Sequence, residues 1–137
     1  MVQYRPLVPV RLRGPAGWSQ PLGCILSSGS DLTVFPEEEA DFIGIDLHAA
    51  PNEQALTDTG LAILFRRAAV RIRIADGSGE TCEWDTLIGF TAFPLIWPLL
   101  GQTAFLQFFS ANLDGELHEA VLSHNRTFQG QHTLPPP

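Results

Sequence analysis

Cys24-Ile25-Leu26-Ser27-Ser28-Gly29-Ser30-Asp31-Leu32-Thr33-Val34-Phe35 is the stretch on which the reading of this chain turns. Three apolar residues run into a small, polar, glycine-containing turn, and an apolar segment leads away from it. A turn of this composition puts short polar side chains at the mouth of a buried strand. Backbone groups and a ligand can approach one another closely there.

Working outward, the flanks read as strands. Tyr4 to Arg13 alternates, with Leu7, Val8 and Val10 set against Arg11 and Arg13 and Leu12 between them, the periodicity of a strand. Pro6 and Pro9 place that strand at a sheet edge, because proline gives no N–H to a ladder. Gly14-Pro15-Ala16-Gly17 is a turn, and Trp18 to Leu26 returns. Downstream of Phe35, Pro36-Glu37-Glu38-Glu39-Ala40-Asp41-Phe42-Ile43 predicts one short helix, with proline at its start and acids near the positive end of its dipole. Asp46 to Thr59 is polar and loop-like. Val70, Ile72 and Ile74 alternate with Arg71 and Arg73, and Asp76-Gly77-Ser78-Gly79 turns the chain into a partner strand carrying Cys82, Trp84, Leu87 and Ile88. Phe105, Leu106, Phe108 and Phe109 fall at helical spacing and predict a short buried helix. Asn112-Leu113-Asp114-Gly115 predicts a turn, and Glu119 to Leu122 a last strand. The tail from Asn125 to Pro137 is expected to be loosely ordered. Trp84, Trp97 and the Phe105, Phe108, Phe109 cluster read as core, while Phe65 is left open as a pocket contact.

Composition bounds the rest. The 137 residues suit one domain, and 45% hydrophobic content is enough for a packed core. Twelve glycines and eleven prolines favour turns and short strands over long helices. The net charge is −7, the eight basic residues are all arginine, and no basic cluster shows along the chain, which argues against nucleic acid. This lysine-free, Ala/Gly/Pro-rich composition hints at a GC-rich bacterial source. No apolar run reaches membrane-spanning length and no signal-peptide pattern opens the chain, so a cytoplasmic protein is expected. Cys24 and Cys82 read as buried free thiols. His48, His118, His124 and His132 are scattered in sequence and suggest no metal site; no cofactor is expected.

The loop resembles the active-site loop of the retropepsin-like aspartic peptidases, which reads apolar-apolar-Asp-Thr/Ser-Gly-Ala/Ser, then a polar residue and an apolar strand. The resemblance extends to Arg5-Pro6-Leu7-Val8, similar to the N-terminal segment of retroviral proteases, and to Leu99-Leu100-Gly101 before the expected helix, similar to the second family signature. It covers about residues 4 to 123. It implies an all-β, single-lobe, closed barrel-like acid protease fold with a flap hairpin over Pro51 to Arg67 and one short C-terminal helix. It also implies a symmetric homodimer that holds an extended peptide or protein substrate. By resemblance, Ser27 occupies the position of the catalytic Asp, and Ser28 that of the hydroxyl residue bracing the two subunits' loops. Gly29 would let backbone approach substrate, and Ser30 and Asp31 would contact it. Arg5 would pair with the partner's Asp31. Asp58, Thr59 and Gly60 would lie at the flap tip.

Two departures stand out. Ser27 cannot act as a base near neutral pH or share a proton as paired carboxyls do, so negligible peptidase activity is expected. Gln102 replaces an arginine of the retroviral signature. An active-site substitution in an otherwise intact loop accounts for Ser27, and a natural non-catalytic peptide-binding or dimerisation module is the alternative. Asp58-Thr59-Gly60 spells the family triplet outright but follows Leu56-Thr57 and precedes Leu61-Ala62, so it reads as a polar hairpin tip. A serine hydrolase would need a histidine base beside Ser27 or Ser28, and no Gly-x-Ser-x-Gly elbow surrounds either.

Overall fold

The computed structural model describes residues 7–27, 29–56, 60, 62–76, 78–114 and 119–135, with backbone alone for 111–114 and 119–120. The chain is all-β apart from one short α-helix and one 3-10 turn among these residues. Its elements are β1 (Leu7–Gly14), β2 (Gly17–Trp18), β3 (Leu22–Leu26), β4 (Val34–Pro36), α1 (Glu37–Phe42), β5 (Glu53–Leu56), β6 (Ala62–Ala75), β7 (Thr81–Thr91) and β8 (Leu99–Leu100). A 3-10 turn (Leu106–Phe108), β9 (Phe109–Asp114), β10 (Glu119–His124) and β11 (Gln131–Thr133) complete it.

The order β7-β4-β8-β3-β1-β6 closes on itself because β6 also pairs with β7 along its length. Closure removes the exposed edges that a sheet would otherwise present. The sequence alternation decides which side faces in. Val10 and Leu12 of β1, Ile72 of β6 and Trp84 and Ile88 of β7 are buried, while Arg11, Arg13 and Asp85 between them face out. Phe35, Phe90, Leu100 and Phe105 fill the centre. Trp84 anchors an aromatic cluster, with ring centroids 5.4 Å from Phe105, 5.2 Å from Phe109 and 5.8 Å from Phe128. Its indole N–H donates to the Ala104 carbonyl at 2.9 Å, so its one polar atom is satisfied.

Several expectations are corrected. β1 is not an edge strand. It pairs with β3 through Leu7–Val10 and with β6 through Val10–Arg13, so Pro9 lies where only one neighbour is engaged and no N–H is missed on the other side. The expected C-terminal helix is a single 3-10 turn, after which Phe109–Asp114 is extended; the expected turn at Asn112–Asp114 is therefore strand, paired with β10. The tail is not loose where it is described. β7 presents an unpaired edge at Thr81–Glu83, and β11 covers it. Gly130 passes so close that a Cβ there would lie 2.1 Å from the Glu83 carbonyl oxygen. Trp97 is 43% exposed, not core, because it sits in the loop between β7 and β8. Pro36 caps α1, one residue before its first turn.

Candidate functional site

β8 lies between β3, to which it is parallel, and β4, to which it is antiparallel. Residues 27–33 join those two flanking strands, so the loop must cross the end of β8 at Gly101. The crossing explains the glycine. A Cβ on Gly101 would stand 2.4 Å from the Leu32 carbonyl oxygen and 2.6 Å from that of Ser30.

Main-chain hydrogen bonds tie the loop to this crossing. The Ser27 N–H donates to Leu100 O at 3.0 Å, and the Gln102 and Thr103 N–H groups donate to Ser30 O and Asp31 O, each at 2.9 Å. The Ser30 N–H returns to Ser27 O at 3.1 Å, and Ser30 Oγ donates to Leu32 O at 3.0 Å. Beneath them Thr33 is buried. Its hydroxyl donates to Thr103 O at 2.7 Å and accepts from the Gly101 N–H at 3.1 Å, while its carbonyl accepts from the Gly89 N–H at 3.0 Å. Thr33 thus locks the loop to both β7 and the segment after β8. The only sequence signal for this role is a lone hydroxyl between apolar Leu32 and Val34.

Of the residues singled out by sequence, Ser27 and Ser30 are half-buried, and Gly29 and Asp31 are exposed. Ser27 Oγ has no hydrogen-bond partner and Asp31 no ion pair among the described residues. Arg5, Ser28, Asp58 and Thr59 lie outside the described residues. Gly60 is described, exposed at the β5–β6 hairpin, with φ of 81°. No histidine contacts Ser27 among the described residues. His48 pairs with Asp46 at 3.0 Å on the surface, and His124 Nε2 meets His132 Nδ1 at 3.2 Å. The two histidines scattered in sequence are therefore adjacent in space, and His132 also meets Glu80 at 2.6 Å. No group of three or more metal-ligating side chains occurs among the described residues. Nor is any helix there long and apolar enough to cross a membrane. Cys24, just before the loop, is a buried free thiol pushed up to about 12, chiefly by burial and secondarily by the charge of Glu39. It is therefore an unreactive thiol at neutral pH.

A groove of about 730 Å³ lies beside this region, between α1, residues 44–52 and the base of the β5–β6 hairpin. Arg66 holds its wall together, donating to Asn52 Oδ1 and Leu47 O, both at 3.1 Å. Its described lining includes none of Ser27, Gly29, Ser30 and Asp31. Phe65 links the two: it lines the groove, and its ring and Leu32 both pack over Gly89, where a Cβ would meet Phe65 at 3.0 Å. Phe65, for which the sequence left a flap or a pocket contact open, is buried at the edge of this groove.

No protein-family model matches this chain, and no curated protein matches it. Among solved structures, one match is EIAV protease complexed with the inhibitor HBY-793, at TM-score 0.42 and 17% identity, covering 74% of this chain and 88% of that one.

Proposed function

We propose that the chain is a retropepsin-type aspartic endopeptidase domain, acting on extended peptides as a symmetric homodimer and silenced by Ser27 at the position of the catalytic Asp. The observation that carries this reading is the bracing of the Ser27–Thr33 loop by β8, Gly101 and the buried Thr33 hydroxyl. That bracing holds residue 27 at the mouth of a strand with its side chain unpartnered among the described residues. One such loop per chain accounts for the dimer: two carboxyls must come from two subunits to share a proton, one taking a proton from water and the other donating to the scissile carbonyl. With serine in both half-sites, neither role is filled. The β5–β6 hairpin, with Gly60 at its open end, is the flap of this reading, and Arg5, Ser28, Asp58 and Thr59 keep the roles that the resemblance implies. The alternative, a peptide-binding module that never cleaved, draws on the fact that the loop is fully braced without any acid.

The test is Ser27→Asp beside the chain as given, on a diverse peptide pool from about pH 3 to 7, the range in which carboxyl pairs titrate. Cleavage by the Asp form alone is expected, at least about 100-fold above the serine form, as general acid–base terms are worth. Inhibition by a statin-type transition-state mimic should accompany it. No cleavage by a folded Ser27→Asp protein overturns the peptidase reading and leaves the binding module.

A further inference from the structure

The chain shows no basic run, yet its barrel gathers one. β1 and β6 place Arg11 opposite Arg73 and Arg13 opposite Arg71, and β6 and β7 place Arg73 opposite Glu83 and Arg71 opposite Asp85. The alternation that buries Val10, Leu12, Ile72 and Trp84 turns all six charged side chains outward. The absence of a basic cluster inferred from the linear sequence is thus corrected by strand register. Like charges directly opposite on a sheet are destabilising, and here two such pairs stand side by side. The acids do not balance them. Glu83 is held by Arg71 at 2.9 Å and meets Arg73 only at 3.7 Å, and Asp85 meets Arg71 at 3.3 Å. Arg11 and Arg13 have no ion pair among the described residues, although Arg13 lies 5.9 Å over the exposed Trp18 ring.

A second observation falls at the same place. Arg11 and Arg73 wall a depression of about 200 Å³ whose other sides are Pro9, Pro21 and Ala75. The guanidinium of Arg11, without an ion pair among the described residues, and the loosely held one of Arg73 wall a small space with apolar sides. That is the chemistry that receives a carboxylate, through planar two-pronged donors with little competing water. The space suits one acidic side chain rather than a whole small-molecule ligand, for which pockets of at least about 300 Å³ are usual.

We propose that this face of β1, β6 and β7 docks an acidic polypeptide segment, with one Asp or Glu side chain seated between Arg11 and Arg73 and a neighbouring acid on Arg13 beside Trp18. Charge complementarity selects this occupant. A chain of net charge −7 repels a polyanion as a whole, while four arginines set against only Glu83 and Asp85 leave this face locally positive and attract a short acidic stretch. Nucleic acid, with a charge every ~1.7 Å of duplex, meets the repulsion in full. The proposal stands apart from the Ser27 loop and does not depend on the peptidase reading.

The probe is a fluorescein-labelled ten-residue Glu/Asp peptide, titrated with the full chain and read by anisotropy, with its Gln/Asn counterpart as control. Saturable binding of the acidic peptide only is expected, weakening as salt rises from about 50 to about 300 mM. Arg11→Glu should weaken it about fivefold or more, the scale of one exposed ion pair lost. Arg126→Glu alters net charge equally, and Arg126 is an exposed residue of the turn before β11 that does not line the Arg11–Arg73 depression, so it should change binding less than about twofold by the same measure. Arg11 has no ion-pair partner to orphan among the described residues, and circular dichroism of Arg11→Glu and Arg11→Gln checks that folding is kept. Equal loss from Arg11→Glu and Arg126→Glu would reduce the effect to net charge and overturn the site. Absence of peptide binding, or tighter binding of duplex DNA than of the peptide, also overturns it.

Discussion

Two stretches of this chain each end a short polar run on glycine, and they sit in different surroundings. Ser27-Ser28-Gly29 leaves the buried strand β3 beside β8, and its flanking backbone is bonded to Leu100, Gln102 and Thr103. Asp58-Thr59-Gly60 belongs to the connection between β5 and β6, where Gly60 is exposed and no described residue comes within 4 Å of a would-be Cβ. The second triplet has the acid, and the first has the scaffold. A carboxylate at a braced strand mouth is a group whose position, and so whose chemistry, the protein controls. What marks a site is the network that holds a triplet, and a short motif alone does not supply one.

The sharpest way to break this contrast is at its glycines. Gly101→Ala forces a methyl against two backbone carbonyl oxygens, at 2.4 and 2.6 Å, that cannot swing aside. It should cost about 3 kcal/mol, the upper range of overpacking, and should free the loop from β8. Gly60→Ala meets nothing but keeps φ near 81°, so it should cost only about 1 kcal/mol of left-handed strain. Urea unfolding of both variants measures the gap. Equal costs would mean that the crossing at β8 is no tighter than the open tip.

A smaller effect sharpens the same contrast. Thr33→Val keeps shape and burial but removes the hydroxyl that serves Thr103 O and the Gly101 N–H. Two backbone groups lose a buried partner, a cost of about 1–3 kcal/mol, and Thr33→Ser should recover most of it. In the background of Ser27→Asp, the valine variant should also lose activity that Thr33→Ser retains. Retention of full stability by Thr33→Val would remove Thr33 from the bracing network.

Much of this was legible in the chain. Strand periodicity marked β1, β6 and β7, because each has one wet and one dry face, and Pro36 with its following acids marked α1. The turn at Ser27–Asp31 announced itself by small residues between apolar ones. What was hidden depended on register. Nothing local shows that β8 slots between β3 and β4, so Thr33 read as one more strand residue and not as a brace. The same holds for the arginines of β1 and β6, separated by some 60 positions in the chain and opposite one another in the barrel. The phenylalanines at 105–109 misled in the other direction: their spacing suits a helix, but the aromatic cluster around Trp84 holds them after a single 3-10 turn.

The last contrast sets the braced loop against a third turn, the one joining β6 to β7. There Asp76 Oδ1 accepts from the Ser78 hydroxyl at 2.7 Å and from the Ser78 and Glu80 N–H groups at 2.8 and 3.0 Å. Thr33 and Asp76 each tie backbone groups together through a side-chain oxygen, Thr33 by one bond accepted and one donated and Asp76 by accepting alone, but only one of them titrates. The Ser78 hydroxyl bond, and then the N–H bonds, hold the Asp76 carboxyl below the usual carboxylate range. A carboxyl depressed in the folded state stabilises it above the ordinary carboxylate value, and that contribution disappears as pH falls through the folded one. The difference in stability between the parent and Asp76→Asn should therefore shrink between about pH 6 and pH 3, bracketing the ordinary Asp value. The difference between the parent and Thr33→Val should hold constant over the same span. Asp76 is fully exposed, so this is the smallest of the effects, visible as a slope in paired unfolding midpoints. A pH-independent gap for Asp76→Asn would show that its carboxylate charge adds nothing to the turn beyond what the amide supplies.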